Sequence, residues 1–205
     1  MSDQRIRLAT EQDALALLSV YAPYVKDTVI TFEYDVPSVA EFARRIREIT
    51  AFYPWLVWEQ NGEIIGYAYA HRHKDRAAYQ WGCELSVYLS PKAWGQGIGT
   101  TLYKALVRIL ELQNVYNLYA CITLPNDRSR RLHTSMGFTL CGIWHHSGYK
   151  HGAWHDVGWF ERTCGQPHSD TQGREASLPA LPEPLISVHD LDPAVLDSIF
   201  VSCLS

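Results

Sequence analysis

Apolar residues recur along the chain in blocks that predict seven strands and four helices ahead of a C-terminal tail. Blocks of alternating or continuous apolar residues predict strands at 6–8, 54–59, 64–70, 80–89, 116–124, 138–145 and 154–161. Apolar residues on one helical face predict helices at 10–24 and 38–49, from the residues after Gly99 to about 113, and at 127–136. Strands in a row, with helices interleaved at both ends, indicate an α/β or α+β sandwich.

Local signals support several of these boundaries. Ser38 with Glu41 forms a capping box at the start of the second helix, and residues 10–13 form a variant of it at the first. Asn61-Gly62 separates two strand-like runs and is typical of a hairpin turn. The segment between the first two helices, residues 27–37, has no regular pattern.

A glycine-rich turn stands between the fourth strand and the third helix. Gly95, Gly97 and Gly99 allow close approach to the backbone, because no Cβ is in the way. The first amides of a helix lack partners and carry the positive end of its dipole, so such a turn suits a pyrophosphate. The alternative is that the glycines only let the helix pack closely on the sheet.

Two nucleotide motifs do not fit this turn. A P-loop requires Lys-Ser or Lys-Thr after its last glycine, and Gly99 is followed by Thr100-Thr101. A dinucleotide-binding fingerprint requires the spacing G-x-G-x-x-G and an acidic residue at the end of the next strand. Here the spacing is G-x-G-x-G, and the next strand ends in Leu124-Pro125-Asn126.

Composition excludes several classes of protein. The 205 residues carry a formal net charge of −4, which argues against a nucleic-acid binder because such proteins usually present a basic field. No apolar run reaches membrane-spanning length, and the N-terminus lacks an apolar signal core. The five cysteines are an odd number and are scattered without paired spacing, so we expect reduced thiols in a cytoplasmic protein.

The composition changes near residue 164. We expect one domain at 1–163, followed at 164–205 by a linker rich in Pro, Gly and Ser and a short C-terminal helix. Asp192-Pro193 has the form of a helix start, and the tail's apolar face holds Val195, Leu196, Ile199 and Phe200. This helix either docks on its own or a neighbouring domain or binds a partner.

Two segments share the spacing of one known superfamily. The first, residues 94–99, reads W-G-Q-G-I-G, and the second runs from Asn126 through Ser129 to Gly137-Phe138. With these segments the chain resembles the GNAT superfamily of N-acetyltransferases. Their turn begins with Arg or Gln where this chain has Trp94, which removes a side-chain contact but keeps the backbone amides.

Further stretches resemble the phosphinothricin-type members of that superfamily. They are T-F-E at 31–33, E-L-S-V-Y-L at 84–89, L-P-N-D at 124–127 and G-Y-K-H-G-A-W-H-D-V at 148–157. The similarity runs in order through roughly residues 4 to 162. It implies a mixed, mostly antiparallel seven-stranded sheet with helices on both faces, whose two central strands splay around acetyl-CoA.

The resemblance implies which residues hold acetyl-CoA. The backbone of Val87, Tyr88 and Leu89 is expected to pair with the pantetheine arm. The N–H of Leu89 is expected to polarise the thioester carbonyl. The pyrophosphate is expected on Gly95, Gln96, Gly97, Ile98, Gly99 and Thr100, and the rest of the arm on Asn126 and Ser129. No metal is needed for this chemistry.

Two residues are candidates for proton transfer. Glu84 matches the carboxylate taken as the base in this family, acting directly or through water; the alternative is a surface carboxylate on a strand. His133 stands where the superfamily often has a Tyr acid, so it either protonates the leaving thiolate, lines the amine site or is a core histidine of its helix. Cys83 adjoins Glu84 but has no assignable partner as a nucleophile.

The acceptor site is expected near Phe32, Glu33, Tyr88, Lys150 and Trp154. Lys150 would pair with the carboxylate of an amino-acid substrate; alternatively, residues 148–157 are only a turn between strands. The nine histidines include His71-x-His73, but no ligand cluster has the spacing of a metal site.

The sequence therefore predicts an acetyl-CoA-dependent N-acetyltransferase that acts on a small primary amine such as phosphinothricin or methionine sulfoximine. Direct attack in a ternary complex is expected. Two alternatives remain open: acetylation of a protein or peptide, and a catalytically silent acyl-CoA-binding module. The resemblance also suggests a homodimer.

Overall fold

The computed structural model describes residues 3–164 and 182–204 and contains one sheet. Its strands are β1 (Gln4–Leu8), β2 (Trp55–Gln60), β3 (Glu63–Arg72), β4 (Gly82–Leu89), β5 (Asn117–Leu124), β6 (Thr139–Lys150) and β7 (Ala153–Thr163). Its α-helices are α1 (Ala14–Asp27), α2 (Val39–Thr50), α3 (Ile98–Leu112), α4 (Asp127–Ser135) and α5 (Pro193–Leu204). The strand order is β1-β2-β3-β4-β5-β7-β6, which confirms the predicted seven-stranded fold.

The sheet forks at its centre. Neighbouring strands are antiparallel except β4 and β5, which run parallel and pair only from Gly82 to Glu84 on one side and from Asn117 to Tyr119 on the other. Both strands continue beyond these pairs, to Leu89 and Leu124, without pairing to each other. The unpaired backbone edge of β4 therefore faces an opening between the two strands.

Helices cover both faces of the sheet, as predicted. One core cluster joins α1 and α2 to the strands, and a second joins α3 and α5 to the opposite face. The spacing of Leu102, Leu106 and Leu110 predicts one apolar face for α3, and all three are fully buried. Burying each contributes about 1.5–3 kcal/mol, which fixes α3, and with it the glycine-rich turn, against the sheet.

The C-terminal helix α5 belongs to this second core. Leu196, Ile199 and Phe200 are buried in the cluster that also contains α3. The chain leading to α5 is attached by side-chain donors, since Trp81 Nε1 donates to Glu183 O at 2.9 Å and Gln113 Nε2 to Ile186 O at 2.8 Å. The helix thus docks on its own domain. Most of the predicted linker, residues 165–181, lies outside the described residues.

The last two strands are longer than the sequence pattern predicts. The sequence pattern predicts a strand that ends at residue 145, whereas β6 continues to Lys150. Its pairing with β7 is irregular between Trp144 and Gly148, where His146 adopts the left-handed region at φ 50°, and this interrupts the pattern. The reversal between β6 and β7 is a tight turn at His151-Gly152, with φ values of 51° and 78°. Most of residues 148–157 therefore lie in paired strands.

Within the described ranges, every helix is too short or too polar to span a bilayer.

Candidate active site

A cleft of about 680 Å³ opens between the end of β4, the glycine-rich turn and α4. A smaller cavity of about 60 Å³ continues it into the fork between β4 and β5. The two share four lining residues, Ile30, Val87, Asn126 and Ser129. The fork between β4 and β5 and the glycine turn that follows β4 therefore line one continuous site.

The glycine turn is built for close approach to its backbone. Gly95 and Gly97 lie in the left-handed region, with φ values of 75° and 80°, and a Cβ on either would stand in open space beside the cleft. Helix α3 starts at Ile98, and its first intrahelical bond runs from Thr101 N to Gly97 O at 3.0 Å. The amides before Thr101 have no acceptor within the helix, which fits an anionic phosphate ligand.

Gly99 has a different role from the other two glycines. A Cβ at this position would lie 3.3 Å from Leu89 Cδ1. Here the glycine lets the first turn of α3 pack closely on the end of β4. Gly95 and Gly97 thus fit the phosphate-binding interpretation of the turn, and Gly99 fits the interpretation that a glycine allows close helix packing.

Trp94 occupies the position at which the N-acetyltransferases that this chain resembles have Arg or Gln. Its indole Nε1 donates to Leu89 O at 3.3 Å, and the Arg128 guanidinium lies 4.3 Å from the ring centroid. Arg128 and Arg131 both line the cleft. A cation held on an aromatic face thus restores positive charge at the mouth of the cleft.

The open edge of β4 is partly engaged by a side chain from α1. The Tyr24 hydroxyl donates to Leu89 O at 2.6 Å and accepts from Leu89 N at 3.3 Å. The Leu89 amide, expected to polarise a thioester carbonyl, has this hydroxyl as its neighbour. Tyr24 has no sequence signal for this contact, because 65 residues separate it from Leu89.

The second sequence motif forms the start of α4. Asn126 is the N-cap, and its Oδ1 accepts from Ser129 N at 3.1 Å. Both residues also line the cleft. The N-x-x-S spacing therefore has a structural explanation, and the contact of these residues with the CoA arm stays a prediction.

Glu84 is the last residue of β4 that pairs with β5, so it stands at the branch of the fork. Its side chain is 20% exposed, and its Oε2 lies 3.7 Å from Nδ1 of His73, the residue that follows β3. This position fits a base that meets an amine approaching the opening. The thiol of Cys121 lines the fork, and burial together with the Glu84 charge raises its pKa to about 12.

Cys83 does not suit a covalent nucleophile. Its side chain is fully buried in the core on the α3 side. Burial raises the pKa of its thiol well above the ordinary value, which disfavours the thiolate that attack would need.

His133 is a buried residue with both ring nitrogens engaged. Nδ1 lies 2.8 Å from the carbonyl of Ser129, and Nε2 lies 2.8 Å from the hydroxyl of Tyr103. A carbonyl only accepts, so Nδ1 carries the proton and Nε2 accepts from Tyr103. Burial lowers the pKa of His133, which favours this neutral form. The geometry fits a wall of the fork better than a free proton donor.

Two of the predicted acceptor residues lie in the segment between α1 and α2. Phe32 packs against Gly148, where a Cβ would overlap its ring, and stacks on His155. Glu33 accepts from Arg45 Nη1 at 2.6 Å and from the Tyr21 hydroxyl at 3.1 Å. Arg45 lies on α2, and no sequence motif identifies it as part of this site.

Trp154 is not brought together with them. Its side chain is 60% exposed and borders a separate groove with Arg130 and Asp156. Tyr88, in contrast, lies within an aromatic cluster with Tyr21, Tyr24 and Tyr67 and lines the fork.

The structure places Lys150 in a different role from the one predicted. Its side chain is buried, and Nζ donates to Val25 O at 2.7 Å and Thr31 O at 2.8 Å. Burial lowers the pKa of this ammonium. With two donors on backbone carbonyls, Lys150 holds the segment after α1 and is not positioned to receive a substrate carboxylate.

We expect Lys150→Met to lower the free energy of unfolding by about 2 kcal/mol, because two carbonyls lose their donor. For a chain of this size that is a fall in Tm of about 5 °C, measured by calorimetry. The exposed Lys26 gives a matched control, and Lys26→Met should leave Tm nearly unchanged. An unaltered Tm in Lys150→Met, with KM raised only for acceptors that carry a carboxylate, would restore the original assignment.

No group of three His, Cys, Asp or Glu side chains is arranged to hold a metal ion within residues 3–164 and 182–204. His71 Nδ1 lies 3.0 Å from Arg72 O, which takes it away from a shared site with His73. The cleft instead offers amides, Arg128 and Arg131 to an anionic organic ligand.

Known proteins resemble the chain over most of its length. A family model described as an acetyltransferase (GNAT) domain matches residues 6–159. The phosphinothricin N-acetyltransferase of Streptomyces viridochromogenes is 37% identical over 186 residues, which are 91% of this chain and 95% of that protein. The L-methionine sulfoximine/L-methionine sulfone acetyltransferase of Salmonella typhimurium is 30% identical over 153 residues, 74% of this chain and 90% of that protein.

A solved structure extends this likeness to three dimensions. It is a GNAT superfamily phosphinothricin acetyltransferase from Sinorhizobium meliloti in complex with acetyl-CoA. The two folds agree with a TM-score of 0.77 at 34% sequence identity, covering 89% of this chain and 97% of that one.

Proposed function

The chain belongs to the GNAT acetyltransferase family, and from this premise we propose that it acetylates the primary amine of a small amino-acid-like acceptor. It is an N-acetyltransferase that uses acetyl-CoA. The proposed acceptor is of the phosphinothricin or methionine sulfoximine type, because relatives that carry these names match nearly their whole length. The observation that carries the proposal is the fork: the glycine turn and the open β4 edge line one continuous cleft, and Glu84 is the last β4 residue to pair before the two strands separate.

The glycine turn and β4 would hold the acetyl donor. The amides of Ile98, Gly99 and Thr100 at the N-terminus of α3 would bind the pyrophosphate, and Arg128 would add positive charge beside them. The free edge of Val87 offers a hydrogen-bonding partner to the pantetheine amides. Bound in this way, acetyl-CoA supplies an activated acetyl group at the fork.

Glu84 would take the proton of the acceptor ammonium, which leaves the amine nitrogen with a lone pair for direct attack on the thioester carbonyl. The C–S bond would then break, and CoA would leave as a thiolate that takes up the second proton lost by the attacking nitrogen. A backbone N–H of β4, that of Leu89 in our proposal, would stabilise the negative charge that grows on the carbonyl oxygen. In this account the Tyr24 hydroxyl exchanges its weak 3.3 Å contact with that amide for the ligand. His133 and Tyr103 form the wall of the fork and exclude water from it.

Thiol release from acetyl-CoA tests this proposal. Purified protein would receive L-phosphinothricin, L-methionine sulfoximine, polyamines and short peptides in separate reactions. We expect turnover with the two amino-acid analogues and little with the others. Turnover confined to peptides would favour the protein acetyltransferase, and acetyl-CoA binding without any turnover would favour a silent binding module.

We also propose a homodimer that forms through the β6–β7 hairpin. Strand β6 is at the edge of the sheet, and within the part of the chain that the structure describes no strand pairs with its outer side. Large exposed side chains cluster on this hairpin, namely Leu140, Ile143, Trp144, Tyr149 and Trp154. Such a patch beside an open edge is typical of an interface.

Trp144→Glu is expected to weaken dimerisation by about tenfold or more, because it places a charge in an apolar interface. Light scattering coupled to size-exclusion chromatography measures the molar mass over a dilution series. Leu15→Glu is the matched control, since Leu15 is 67% exposed on α1. A wild-type protein that elutes as a monomer at all concentrations would show the dimer proposal to be wrong.

The cytoplasmic location also stays a proposal. All five cysteines are free thiols in the structure, which fits a reducing compartment.

A further inference from the structure

His73 lies beside Glu84 with an unsatisfied ring nitrogen. It follows the end of β3, where its N–H donates to Gly82 O at 3.3 Å. The imidazole stacks on Tyr119 at 4.4 Å between centroids and meets the edge of Trp159 at 5.4 Å. Its Nδ1 is buried, has no hydrogen-bond partner among residues 3–164 and 182–204, and lies 3.7 Å from Glu84 Oε2. Buried polar atoms are usually paired, so this one calls for an explanation.

The distance fits two acceptors that face each other without a proton. A neutral imidazole with its proton on Nε2 presents a lone pair at Nδ1, and a carboxylate presents only lone pairs. In this tautomer neither atom has a proton to give the other, which is consistent with the 3.7 Å that separates them. A proton arriving on either atom would turn the pair into a charge-assisted hydrogen bond after a movement of less than about 1 Å.

We propose that His73 is a positioning residue of the base, which accepts from Glu84 the proton removed from the acceptor ammonium. This inference rests on the proposed function. The ammonium N–H bond breaks and its electrons stay on nitrogen, while the proton passes to the Glu84 carboxylate and then to His73 Nδ1. The imidazolium remains beside the restored carboxylate. Because Nδ1 is buried, the proton that is lost to solvent comes from Nε2 of a side chain that is 14% exposed, and proton exchange with water then returns the ring to the tautomer with its proton on Nε2.

A histidine partner improves proton transfer for a simple reason. An imidazole is ordinarily a stronger base than a carboxylate, with ordinary pKa values of about 6.5 and about 4.3, and burial, which lowers the pKa of His73, reduces this difference. A carboxylate paired with imidazole therefore retains the proton better than one that acts alone. It also returns to its charged form before the next turnover.

The groups packed around His73 keep it neutral and ready to accept. Burial lowers the pKa of His73, and Lys74, which follows β3, and His71, on β3, act in the same direction. Glu84 on β4 opposes them and raises it. The faces supplied by β5 and β7 are the rings of Tyr119 and Trp159.

The first test needs no substrate. Carbon-detected NMR titration of the histidine rings in the whole protein gives the midpoint for His73, assigned by its loss in His73→Gln. We expect Glu84→Gln to move this midpoint to lower pH, because the charge that favours imidazolium is gone. A midpoint that does not respond to Glu84→Gln would overturn the proposed pairing.

The second test is the pH profile of kcat/KM with L-methionine sulfoximine as acceptor. We expect His73→Gln and His73→Phe to lower kcat by about tenfold to a hundredfold, near the lower end of general-base effects. The KM for acetyl-CoA should not change, and the acidic limb of the profile should move to lower pH because His73 no longer titrates. The phenylalanine variant keeps a flat ring between Tyr119 and Trp159, which separates loss of the nitrogen from loss of packing.

His71→Gln is the matched control on the same strand and should change kcat by less than about twofold. A wild-type pH profile in both His73 variants would overturn the proposal. If the wild-type protein acetylates no amine, the proposed function fails instead, and the NMR titration still decides whether His73 and Glu84 are coupled.

Discussion

Glu84→Gln lowers kcat/KM for the amine acceptor by about 10²- to 10⁴-fold, the range expected when a general base is lost. Glutamine keeps the size of the side chain at the branch of the fork but does not accept a proton at working pH. The binding of acetyl-CoA should be unaffected, because the glycine turn and the β4 edge do not involve this carboxylate. Initial-rate kinetics and calorimetric titration with acetyl-CoA measure the two quantities separately.

Glu161→Gln is the control for this variant, since Glu161 is an exposed carboxylate on β7 in the same sheet. Its kinetics should match those of the wild type. Full activity of Glu84→Gln over a pH range of about 6 to 9 would show that the base has been assigned to the wrong residue.

Phe200→Ala lowers the free energy of unfolding by about 3 to 5 kcal/mol, as expected for a large aromatic side chain removed from a core. Phe200 is 7% exposed and packs in the cluster that contains α3. A loss of this size lowers Tm by on the order of 10 °C in a chain of this length. Chemical denaturation and calorimetry of the full chain measure it.

The same helix provides the control for this prediction. Val195 is 41% exposed, so Val195→Ala should change the free energy of unfolding by no more than about 0.5 kcal/mol. If Phe200→Ala left Tm unchanged, α5 would not be a stable part of the domain, and the partner-binding interpretation of the tail would gain support.

Features that depend on local sequence were predictable. Asn61-Gly62 forms the hairpin turn between β2 and β3, with φ values of 51° and 78° that this pair adopts at low cost. Ser38 accepts from Glu41 N at 3.1 Å and begins α2, as the capping box predicts. The glycines at 95 and 97 adopt the backbone that only a residue without a Cβ takes easily.

Features that depend on contacts between distant segments were not predictable. The burial of Lys150 results from carbonyls more than a hundred residues earlier, at Val25 and Thr31. The contact of Tyr24 with Leu89 likewise joins α1 to the end of β4. His73 was considered only as a metal ligand, because neither spacing nor composition tells that β3 places it beside Glu84.

The most direct test of the central claim is acetyl transfer within a mixture, read by mass spectrometry. Purified protein and acetyl-CoA would be incubated with equal amounts of L-phosphinothricin, L-methionine sulfoximine, the common amino acids, polyamines and short peptides. The account predicts that one acetyl group is added to the amine of the small amino-acid-like acceptors, with equal release of CoA and no acetylated protein intermediate. Acetylation of the peptides alone, or an acetylated enzyme that forms without an acceptor, would contradict it.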